Sequence, residues 1–301
     1  CPKFSLRLIK NVKNSESNHF ISKRFSHSGL KKISTLVDIT NYITIDFCRP
    51  LHVFDYDKLE GDIKIRYSKK GEKFVGLDDV EYVLDDGMVI ICDDKKILSL
   101  AGVMGGKNSG CDPNTKNIIL ESAYFSPESI SKTGRKLNIQ SDARYRFERG
   151  IDPESVESGI EIASLMIKDS CGGDFGTIVS DSVLLRNRKS IEIEYSFFEK
   201  VLGVKIEDSF ITQKLNAIGC EIHERKKVLN VIPPTWRQDI NIPEDLVEEI
   251  GRLFGYHNIE SKEISEKNFT SLQKTSELQK IRKKIKQLLV SRNMFETISW
   301  S

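Results

Sequence analysis

The most informative stretch of the sequence reads Trp236-Arg237-Gln238-Asp239-Ile240-Asn241-Ile242-Pro243-Glu244-Asp245-Leu246-Val247-Glu248-Glu249. Its second half predicts a helix over Pro243–Phe254, because proline suits the first turn of a helix and Gly255 follows the last turn. On this helix Asp245, Glu248 and Glu249 lie at positions i, i+3 and i+4, so their carboxylates share one face. A cation would relieve their repulsion, and hard oxygen ligands suit magnesium or calcium. The helix dipole also favours acids in any first turn, and the spacing leaves both explanations open.

The residues around this stretch predict a small α+β unit over residues 190–260. Ile191–Tyr195 alternates apolar and polar residues as a half-buried strand does. Ser196 and Glu199 have the spacing of a capping box, which predicts a short helix after that strand. Short helices beside a small β element indicate a winged-helix-like unit. The other predicted elements are a helix over Phe210–Ile218 and strands over Glu221–His223 and Val228–Ile232.

Residues 1–180 form a separate predicted unit that is rich in strands. Strand patterns dominate from Asp62 to Phe125 and include the apolar strand Ile118–Ala123. The pair Asp152-Pro153 predicts the start of a helix, and Gly172-Gly173 predicts its end. The stretch Ser180–Lys189 is polar and basic, and we therefore place a linker and a domain boundary there.

The C-terminal part predicts the opening of a third domain. Residues 261–274 are polar and predict a linker, and Leu278–Val290 has the spacing of a basic amphipathic helix. The last residues, Thr297–Ser301, have the pattern of an interrupted strand. Residue 1 is Cys1 rather than methionine, so we expect the chain to be a fragment of a longer protein.

Composition excludes several classes of function. Lys and Arg total 46 against 44 Asp and Glu, a net charge of +2, so nucleic-acid binding would need local basic patches. No apolar run approaches the roughly 18 residues that span a membrane, and we predict no membrane association. The six cysteines form no Cys-x-x-Cys pair, which argues against a zinc site and against a disulfide framework. Reduced thiols of this kind predict a cytoplasmic protein.

Two polar residues beside apolar segments are candidate site residues. Glu121 ends an apolar strand, where a carboxylate is costly unless it is paired or hydrogen-bonded. It is therefore either a polar group in a binding pocket or half of a buried ion pair. His52 lies among apolar residues, where a lone histidine is more often structural than catalytic. The glycine-rich run Gly105–Gly110 lacks the residues of a P-loop and predicts a tight hairpin turn.

The run Ser141–Gly150 interleaves basic and aromatic residues. Such a run can bind RNA through phosphate contacts and stacked bases. It can equally form a strand in which arginines pair with Asp142 and Glu148, and from the residues alone we favour this second interpretation.

Several segments occur in an order that is typical of a single family. They are Val37–Tyr42, Pro50–Asp55, Gly102–Gly106, Leu120–Phe125, Ser141–Pro153 and Pro234–Tyr256. In sequence and in order these segments resemble the β subunit of bacterial phenylalanyl-tRNA synthetases. The resemblance covers almost the whole chain, and several of the motifs are six residues or longer.

The resemblance implies a multidomain α+β protein. A mixed α/β editing domain would occupy residues 1–180, and a small winged-helix-like α+β domain that binds magnesium would occupy residues 190–260. Residues 275–301 would be the truncated start of a class II synthetase-like domain.

The resemblance also implies a function. The family forms an α2β2 heterotetramer that joins phenylalanine to its tRNA with ATP and magnesium, and the aminoacylation site is in the α subunit. The β subunit hydrolyses tyrosine that has been attached to the phenylalanine tRNA by mistake. A pocket shaped for phenylalanine rejects an isostere with one added hydroxyl only weakly, on the order of a hundredfold, so a second site is needed.

Roles within the editing pocket follow from the same resemblance. Glu121 would accept the hydrogen bond of the tyrosine hydroxyl, and His52 would lie near the ester and the attacking water. Gly102 would let the ligand approach the backbone, and Ala143 would keep the pocket open. We assign no general base. The implied catalytic residues are His52, Glu121 and Ser141, and the implied pocket residues are Thr40, Asn41, Gly102 and Ala143.

The second domain of the family binds magnesium through ligands that it shares with the α subunit. The matching residues here are Asp239, Asp245, Glu248 and Glu249, and all four are acidic. The resemblance therefore favours a metal site over the helix-dipole explanation. The ion would be structural and would hold the two subunits together.

Two positions depart from the family pattern and leave other functions open. Ser141 stands where the family has threonine, and Arg49 stands where glutamine is common. One rival function is a scaffold that binds RNA and the α subunit but whose editing pocket has decayed. A further alternative is a free-standing nucleic-acid regulator built on the small domain, which would bind duplexes without the α subunit.

Overall fold

The architecture is that of a computed structural model, which describes residues 1–183, 190–261 and 275–299. The chain divides into two compact units, Cys1–Phe254 and Gly255–Ser301. The helices of the described residues are α1 (His19–Ser28), α2 (Thr35–Asp46), α3 (Pro127–Lys136), α4 (Asp142–Phe147), α5 (Ser155–Cys171), α6 (Tyr195–Leu202), α7 (Asp208–Ala217), α8 (Pro243–Phe254) and α9 (Glu277–Val290). Their strands are β1 (Lys3–Lys10), β2 (Leu51–Asp55), β3 (Lys64–Tyr67), β4 (Lys73–Val75), β5 (Glu81–Val83), β6 (Val89–Cys92), β7 (Ile97–Leu100), β8 (Met104–Gly105), β9 (Ile118–Tyr124), β10 (Asp174–Ser182), β11 (Ile191–Glu194), β12 (Glu221–Arg225) and β13 (Val228–Ile232).

An antiparallel sheet of strand order β10-β1-β9-β2 separates two hydrophobic cores. On one face Ile118 and Leu120 of β9 pack with residues of α1, α2 and α5. On the opposite face Ile119 and Ala123 join a core with a second sheet of order β3-β6-β7-β8. Because side chains alternate along a strand, Glu121 lies on this second face. The predicted α+β class is therefore confirmed.

The small predicted α+β unit contains a sheet of order β11-β13-β12 with α6, α7 and α8 packed against it. The predicted bounds of α8 are confirmed, and Gly255 follows it with a positive φ of 91°. The predicted capping box at Ser196 is wrong, because its hydroxyl donates to Glu194 at 2.9 Å. Glu194 is itself the N-cap of α6 and makes no side-chain capping bond. The winged-helix and class II details stay predictions.

The predicted linker Ser180–Lys189 is wrong in its first residues. Strand β10 continues to Ser182, and Ser5 of β1 pairs with Ser180. The strand lies at the edge of the sheet with mostly exposed side chains, so its polar composition does not distinguish it from a linker. Residues 184–189 lie outside the described residues. The helix predicted from Asp152-Pro153 exists as α5 but begins at Ser155.

The strand predicted within Ser141–Gly150 is also wrong, because this run forms helix α4. Ser141 is the N-cap, and its hydroxyl accepts a hydrogen bond from the backbone N–H of Arg144. The predicted ion pairs do form, at the i, i+4 spacing of a helix: Arg146 with Asp142, and Arg144 with Glu148. The strand was predicted because basic and aromatic residues alternate in this run, as residues on the two faces of a strand do. The run is too short for that alternation to distinguish a strand from a helix.

The second compact unit contains α9, which confirms the helix predicted over Leu278–Val290. Its predicted apolar face is exposed within this unit. Residues 297–299 form no strand, contrary to prediction, and residues 300–301 and the predicted linker residues 262–274 lie outside the described residues. Across the described part of the chain, none of the helices has the length and apolar character needed to cross a membrane.

Candidate functional site

His52 and Glu121 lie side by side on the face of the first sheet that meets the second sheet. They are directly opposite each other in the antiparallel pairing of β2 with β9. Cβ atoms of such a pair are about 4.5–5.5 Å apart. The ring of Phe54 meets the His52 ring edge to face, with centroids 4.5 Å apart. The strand register therefore brings together the two residues that the sequence placed 69 positions apart.

A narrow cleft opens over this pair, with a volume of about 60 Å³. That volume holds water but lies far below the roughly 300 Å³ of a small-molecule pocket. An amino-acid side chain can enter only after the cleft widens. The lining residues are Pro50, Leu51, His52, Ser99, Gly102, Val103, Met104, Gly105, Glu121, Ala143 and Phe147.

The surrounding protein leaves one polar atom of His52 without a partner and buries the Glu121 carboxyl. The buried His52 Nε2 has no hydrogen-bond partner among the described residues. Glu121 is 5% exposed, and burial alone, without a charged or hydrogen-bonded neighbour, perturbs its carboxyl. An unpaired buried polar group costs about 1–3 kcal/mol, so this arrangement is unfavourable for folding by itself. Such a pair at the bottom of a cleft indicates a ligand-binding role.

Burial shifts both groups toward their neutral forms. It lowers the pKa of His52 to about 4 and raises the pKa of Glu121 to about 8. Near neutral pH the imidazole is uncharged and the carboxyl is mostly protonated. The protonated carboxyl can both donate and accept a hydrogen bond, and the imidazole can accept one from water.

Two glycines let the turn between β7 and β8 close over the cleft. Gly102 has a positive φ of 66°, and a Cβ there would lie 2.8 Å from the Phe125 ring. A Cβ on Gly105 would lie 2.4 Å from Cε1 of His52. Gly102 therefore lines the cleft, but the space beside it is filled by core rings, and its role in a ligand pocket stays a prediction. Gly105 also lines the cleft, a role that the sequence did not predict, although the Gly105-Gly106 pair was a signal for a close approach.

Three predicted pocket residues lie outside the cleft lining. The Ser141 hydroxyl donates to the carbonyl of Val103 at 2.6 Å and caps α4. Thr40 is 4% exposed and donates to a carbonyl of its own helix, α2. Asn41 follows it on the same helix. Of the seven predicted residues, the structure brings four together: His52, Gly102, Glu121 and Ala143.

Arg49, which the sequence marked only as a departure from the family, is a buried structural link. Its guanidinium donates to the carbonyl of Ala123 at 2.8 Å, to the hydroxyl of Ser155 at 2.9 Å and to the carbonyl of Asp152. Burial lowers its pKa to about 10, so it stays charged at neutral pH. Arg49 thereby joins the end of β9 to the start of α5, beside the cleft.

The acidic residues of the stretch 236–249 are arranged differently from the cleft pair. Arg237 donates to Asp239 at 2.6 Å and to Glu249 at 2.8 Å. Arg252 also pairs with Glu249, and these two arginines, Arg237 first, lower the pKa of Glu249 to about 2. Asp245 accepts hydrogen bonds from backbone N–H groups just before α8 and so caps the helix.

These acids do not fit a metal ion in this arrangement. Within residues 1–183, 190–261 and 275–299, no three His, Cys, Asp or Glu side chains are placed to hold one. The expected site of Asp239, Asp245, Glu248 and Glu249 is therefore not formed, because Arg237 supplies the neutralising charge. Magnesium binding by these residues stays a prediction.

Comparison with known proteins identifies two regions. The family model of the B3/4 domain matches residues 1–172, and that of the tRNA synthetase B5 domain matches residues 191–256. Over its full length the chain is 41% identical to the phenylalanine–tRNA ligase β subunit of Paramagnetospirillum magneticum and 38% identical to that of Mesorhizobium japonicum. It spans 38% of the length of each of these relatives.

A solved structure is also similar to the chain. It is the crystal structure of an N-terminal fragment of the phenylalanyl-tRNA synthetase β subunit from Pyrococcus horikoshii, with 15% identity and a TM-score of 0.39. The match covers 84% of this chain and 71% of that one. A likeness of this size supports no argument about fold or function.

Proposed function

The chain belongs to the family of phenylalanine–tRNA ligase β subunits with B3/4 and B5 domains, and from this premise we propose that its cleft hydrolyses Tyr-tRNA(Phe). The observation that carries the proposal is the pair of buried polar groups in the cleft: His52 Nε2 has no partner among the described residues, and burial alone raises the pKa of Glu121. A tyrosyl ester would supply the partners that the protein does not.

Selection of tyrosine over phenylalanine would rest on Glu121. Its carboxyl would exchange a hydrogen bond with the phenol hydroxyl once the cleft widens to admit the ring. A phenylalanyl group has no hydroxyl and would leave the carboxyl unpaired. A site built to bind a hydroxyl rejects the analogue without one by about 10⁴–10⁵-fold, far more than a shape-based pocket achieves.

Hydrolysis would take place beside His52. The attacking water would bind to the neutral imidazole through Nε2, the ring atom that lacks a partner. Its oxygen would attack the ester carbonyl carbon, the bond from that carbon to the ribose oxygen of the tRNA would break, and one proton of the water would end on the ribose oxygen. Tyrosine and a free 3′ end would be released. We assign His52 to orient the water and assign no general base.

The remaining functions are proposed for the whole enzyme. The chain would act within an α2β2 phenylalanine–tRNA ligase in the cytoplasm, with the α subunit and phenylalanine tRNA as partners and with ATP and magnesium as cofactors. Ser141, Thr40 and Asn41 stay predicted contributors to the editing site. Asp239, Asp245, Glu248 and Glu249 stay the predicted magnesium ligands in the assembled enzyme, where Asp239 and Glu249 would have to leave Arg237.

The test is deacylation of Tyr-tRNA(Phe) by the chain and by the assembled enzyme. We expect Glu121→Ala to lower kcat/KM by about a hundredfold, the loss typical of removing one key polar contact to the reacting substrate. The matched control is Glu128→Ala, which removes an exposed carboxylate from the same domain and should change nothing. If wild type and Glu121→Ala deacylate at the same slow rate, the proposal fails.

A non-catalytic scaffold is the second candidate function, and the small cleft favours it. A volume of about 60 Å³ admits no tyrosyl ring. Under this alternative the chain binds phenylalanine tRNA and the α subunit, and wild-type enzyme deacylates no faster than buffer alone. The same assay therefore separates the two candidates.

A further inference from the structure

Gln238 lies in the stretch 236–249. It belongs neither to the cleft nor to the acidic cluster, which consists of Asp239, Asp245, Glu248 and Glu249. Its side-chain amide donates to the carbonyl of Ile151 at 2.5 Å, across 87 positions of sequence. Gly150 makes room for this contact, since a Cβ there would lie 2.1 Å from the side-chain amide oxygen of Gln238. The φ of Gly150 is +87°, which also favours glycine. The contact joins the region matched by the B5 model to that matched by the B3/4 model.

The turn that carries Gln238 is held on both sides. Arg237, the preceding residue, is fixed by its ion pairs with Asp239 and Glu249. The backbone carbonyl of Gln238 accepts a hydrogen bond from the Asn241 side chain at 2.7 Å. The acidic cluster therefore has a structural role in this chain: it holds a short turn rigid and presents the Gln238 side chain at a fixed position.

The contacted residues follow helix α4, which lines one side of the cleft. The N–H of Gly150 donates to the carbonyl of Phe147 at 3.1 Å, and the Ile151 side chain shares a hydrophobic core with Phe147. Ala143 and Phe147 line the cleft. The N-terminus of α4 is attached separately, through the hydrogen bond that the Ser141 hydroxyl donates to the carbonyl of Val103.

A helix of six residues depends on such attachments, because helices this short are unstable by themselves. We propose that Gln238 is a positioning residue for the cleft. It attaches the segment that follows α4 to the second domain, while Ser141 fixes the first turn of α4, and together they hold Ala143 and Phe147 in the cleft wall. The consequence for catalysis rests on the proposed editing function, whereas the attachment itself does not.

The experiment compares three variants of the full-length β subunit assembled with its α subunit. Gln238→Ala removes the side chain, and Gln238→Glu keeps its size but replaces the donor with an acceptor. Gln213→Ala is the matched control, since it removes an exposed glutamine from the same domain. Two quantities are measured: kcat and KM for deacylation of Tyr-tRNA(Phe), and amide hydrogen exchange over residues 142–151.

We expect both Gln238 variants to lower kcat about tenfold with little change in KM, since displacing a reacting group by about 1 Å can cost about a hundredfold. Amides of residues 142–151 should exchange at least tenfold faster, while those of the two sheets keep the wild-type rate. The control should match wild type in both measurements, and all variants should aminoacylate normally.

Unchanged exchange over residues 142–151, or wild-type behaviour of Gln238→Glu, would overturn the proposal. Wild-type enzyme that fails to deacylate Tyr-tRNA(Phe) would refute the editing function instead. In that case hydrogen exchange would still decide whether Gln238 holds α4. A fall in kcat without faster exchange would also count against Gln238 as a positioning residue.

Discussion

The cleft pair and the acidic cluster are both groups of polar side chains, but they differ in whether the protein supplies their partners. In the cleft, His52 Nε2 is buried without a hydrogen-bond partner among the described residues, and burial alone raises the pKa of the Glu121 carboxyl. In the cluster, Arg237 binds both Asp239 and Glu249. The first arrangement is costly for folding, and the second is favourable.

Whether the protein itself supplies the partners distinguishes polar groups that are available to bind a ligand from polar groups that stabilise the fold. Each unpaired buried group costs about 1–3 kcal/mol, and a protein keeps that cost where function requires it. Ion-paired groups with low exposure carry no such implication, because their charges are already neutralised. Charge density alone therefore does not identify a metal site, and lack of partners is the more informative observation.

Removing Arg237 should produce the largest effect on stability. In the variant Arg237→Ala, the carboxylate of Glu249, with 8% of its side chain exposed, keeps only Arg252 as an ion-pair partner. We expect the free energy of unfolding to fall by about 3 kcal/mol, the lower end for breaking a buried pair. Denaturant titration measures this change, and Arg225→Ala, an exposed arginine in β12, is the matched control.

The same variant tests the predicted magnesium site. Arg237→Ala removes the arginine that binds both Asp239 and Glu249, and so removes one competitor for a cation at these two carboxylates. If these four acids are magnesium ligands, millimolar magnesium should raise the Tm of the variant more than that of wild type. An equal response to magnesium in both proteins would contradict the four-carboxylate site, and unchanged stability of the variant would contradict the structural role of Arg237.

The pH dependence of stability tests the unpartnered pair. Burial raises the pKa of Glu121 from 4.5 to about 8, so the folded protein retains a proton that the unfolded chain has released. Its contribution to stability is present below about pH 4.5 and is lost as the pH rises to about 8. Glu121→Gln removes this titration. Between about pH 6.5 and 8, the variant should gain about 2 kcal/mol in unfolding free energy relative to wild type.

His52 sets the lower limit of that pH window. Burial lowers the pKa of His52 to about 4, so the unfolded chain binds a proton below about pH 6.5 that the folded protein excludes. Its contribution is lost as the pH falls from about 6.5 to 4 and is constant above that range. Urea titrations at several pH values measure the difference, with Glu128→Gln as control. Parallel curves for wild type and Glu121→Gln would mean that the carboxyl is not held protonated.

Proline and glycine residues predicted the ends of some elements correctly to the residue. Helix α8 begins at Pro243 and is followed by Gly255, as expected, because proline and glycine act on the backbone at the position where they stand. The family resemblance supplied the association of His52 with Glu121, and the register of β2 with β9 makes them neighbours. Neither His52 nor Glu121, taken alone in the sequence, indicates that the two side chains are neighbours.

Tertiary partners could not be predicted in the same way. The helical spacing placed Asp245, Glu248 and Glu249 on one face, but it could not show that Arg237 binds Glu249, twelve residues later in the chain. Likewise, the hydroxyl of Ser141 gave no sign that its partner would be the carbonyl of Val103. Such contacts depend on how loops pack against other elements, which local patterns do not encode.

Ser141 gives the smallest expected change, and it tests whether a residue outside the cleft lining influences the cleft. Its hydroxyl caps α4 and donates to the carbonyl of Val103. Ser141→Ala should lower the free energy of unfolding by about 1 kcal/mol, as is typical for loss of an N-cap. Denaturant titration measures the loss, and Ser158→Ala, an exposed serine of α5, is the matched control.

The variant Ser141→Thr distinguishes a capping role from direct contact with substrate. Threonine keeps a hydroxyl that can cap the helix, so the free energy of unfolding should stay within about 0.5 kcal/mol of wild type. If Ser141 acts only by holding α4, deacylation of Tyr-tRNA(Phe) should fall in Ser141→Ala and return in Ser141→Thr, with KM unchanged throughout. A change in KM at equal stability would instead place the Ser141 side chain against the substrate, and the cleft would then have to extend to the first turn of α4.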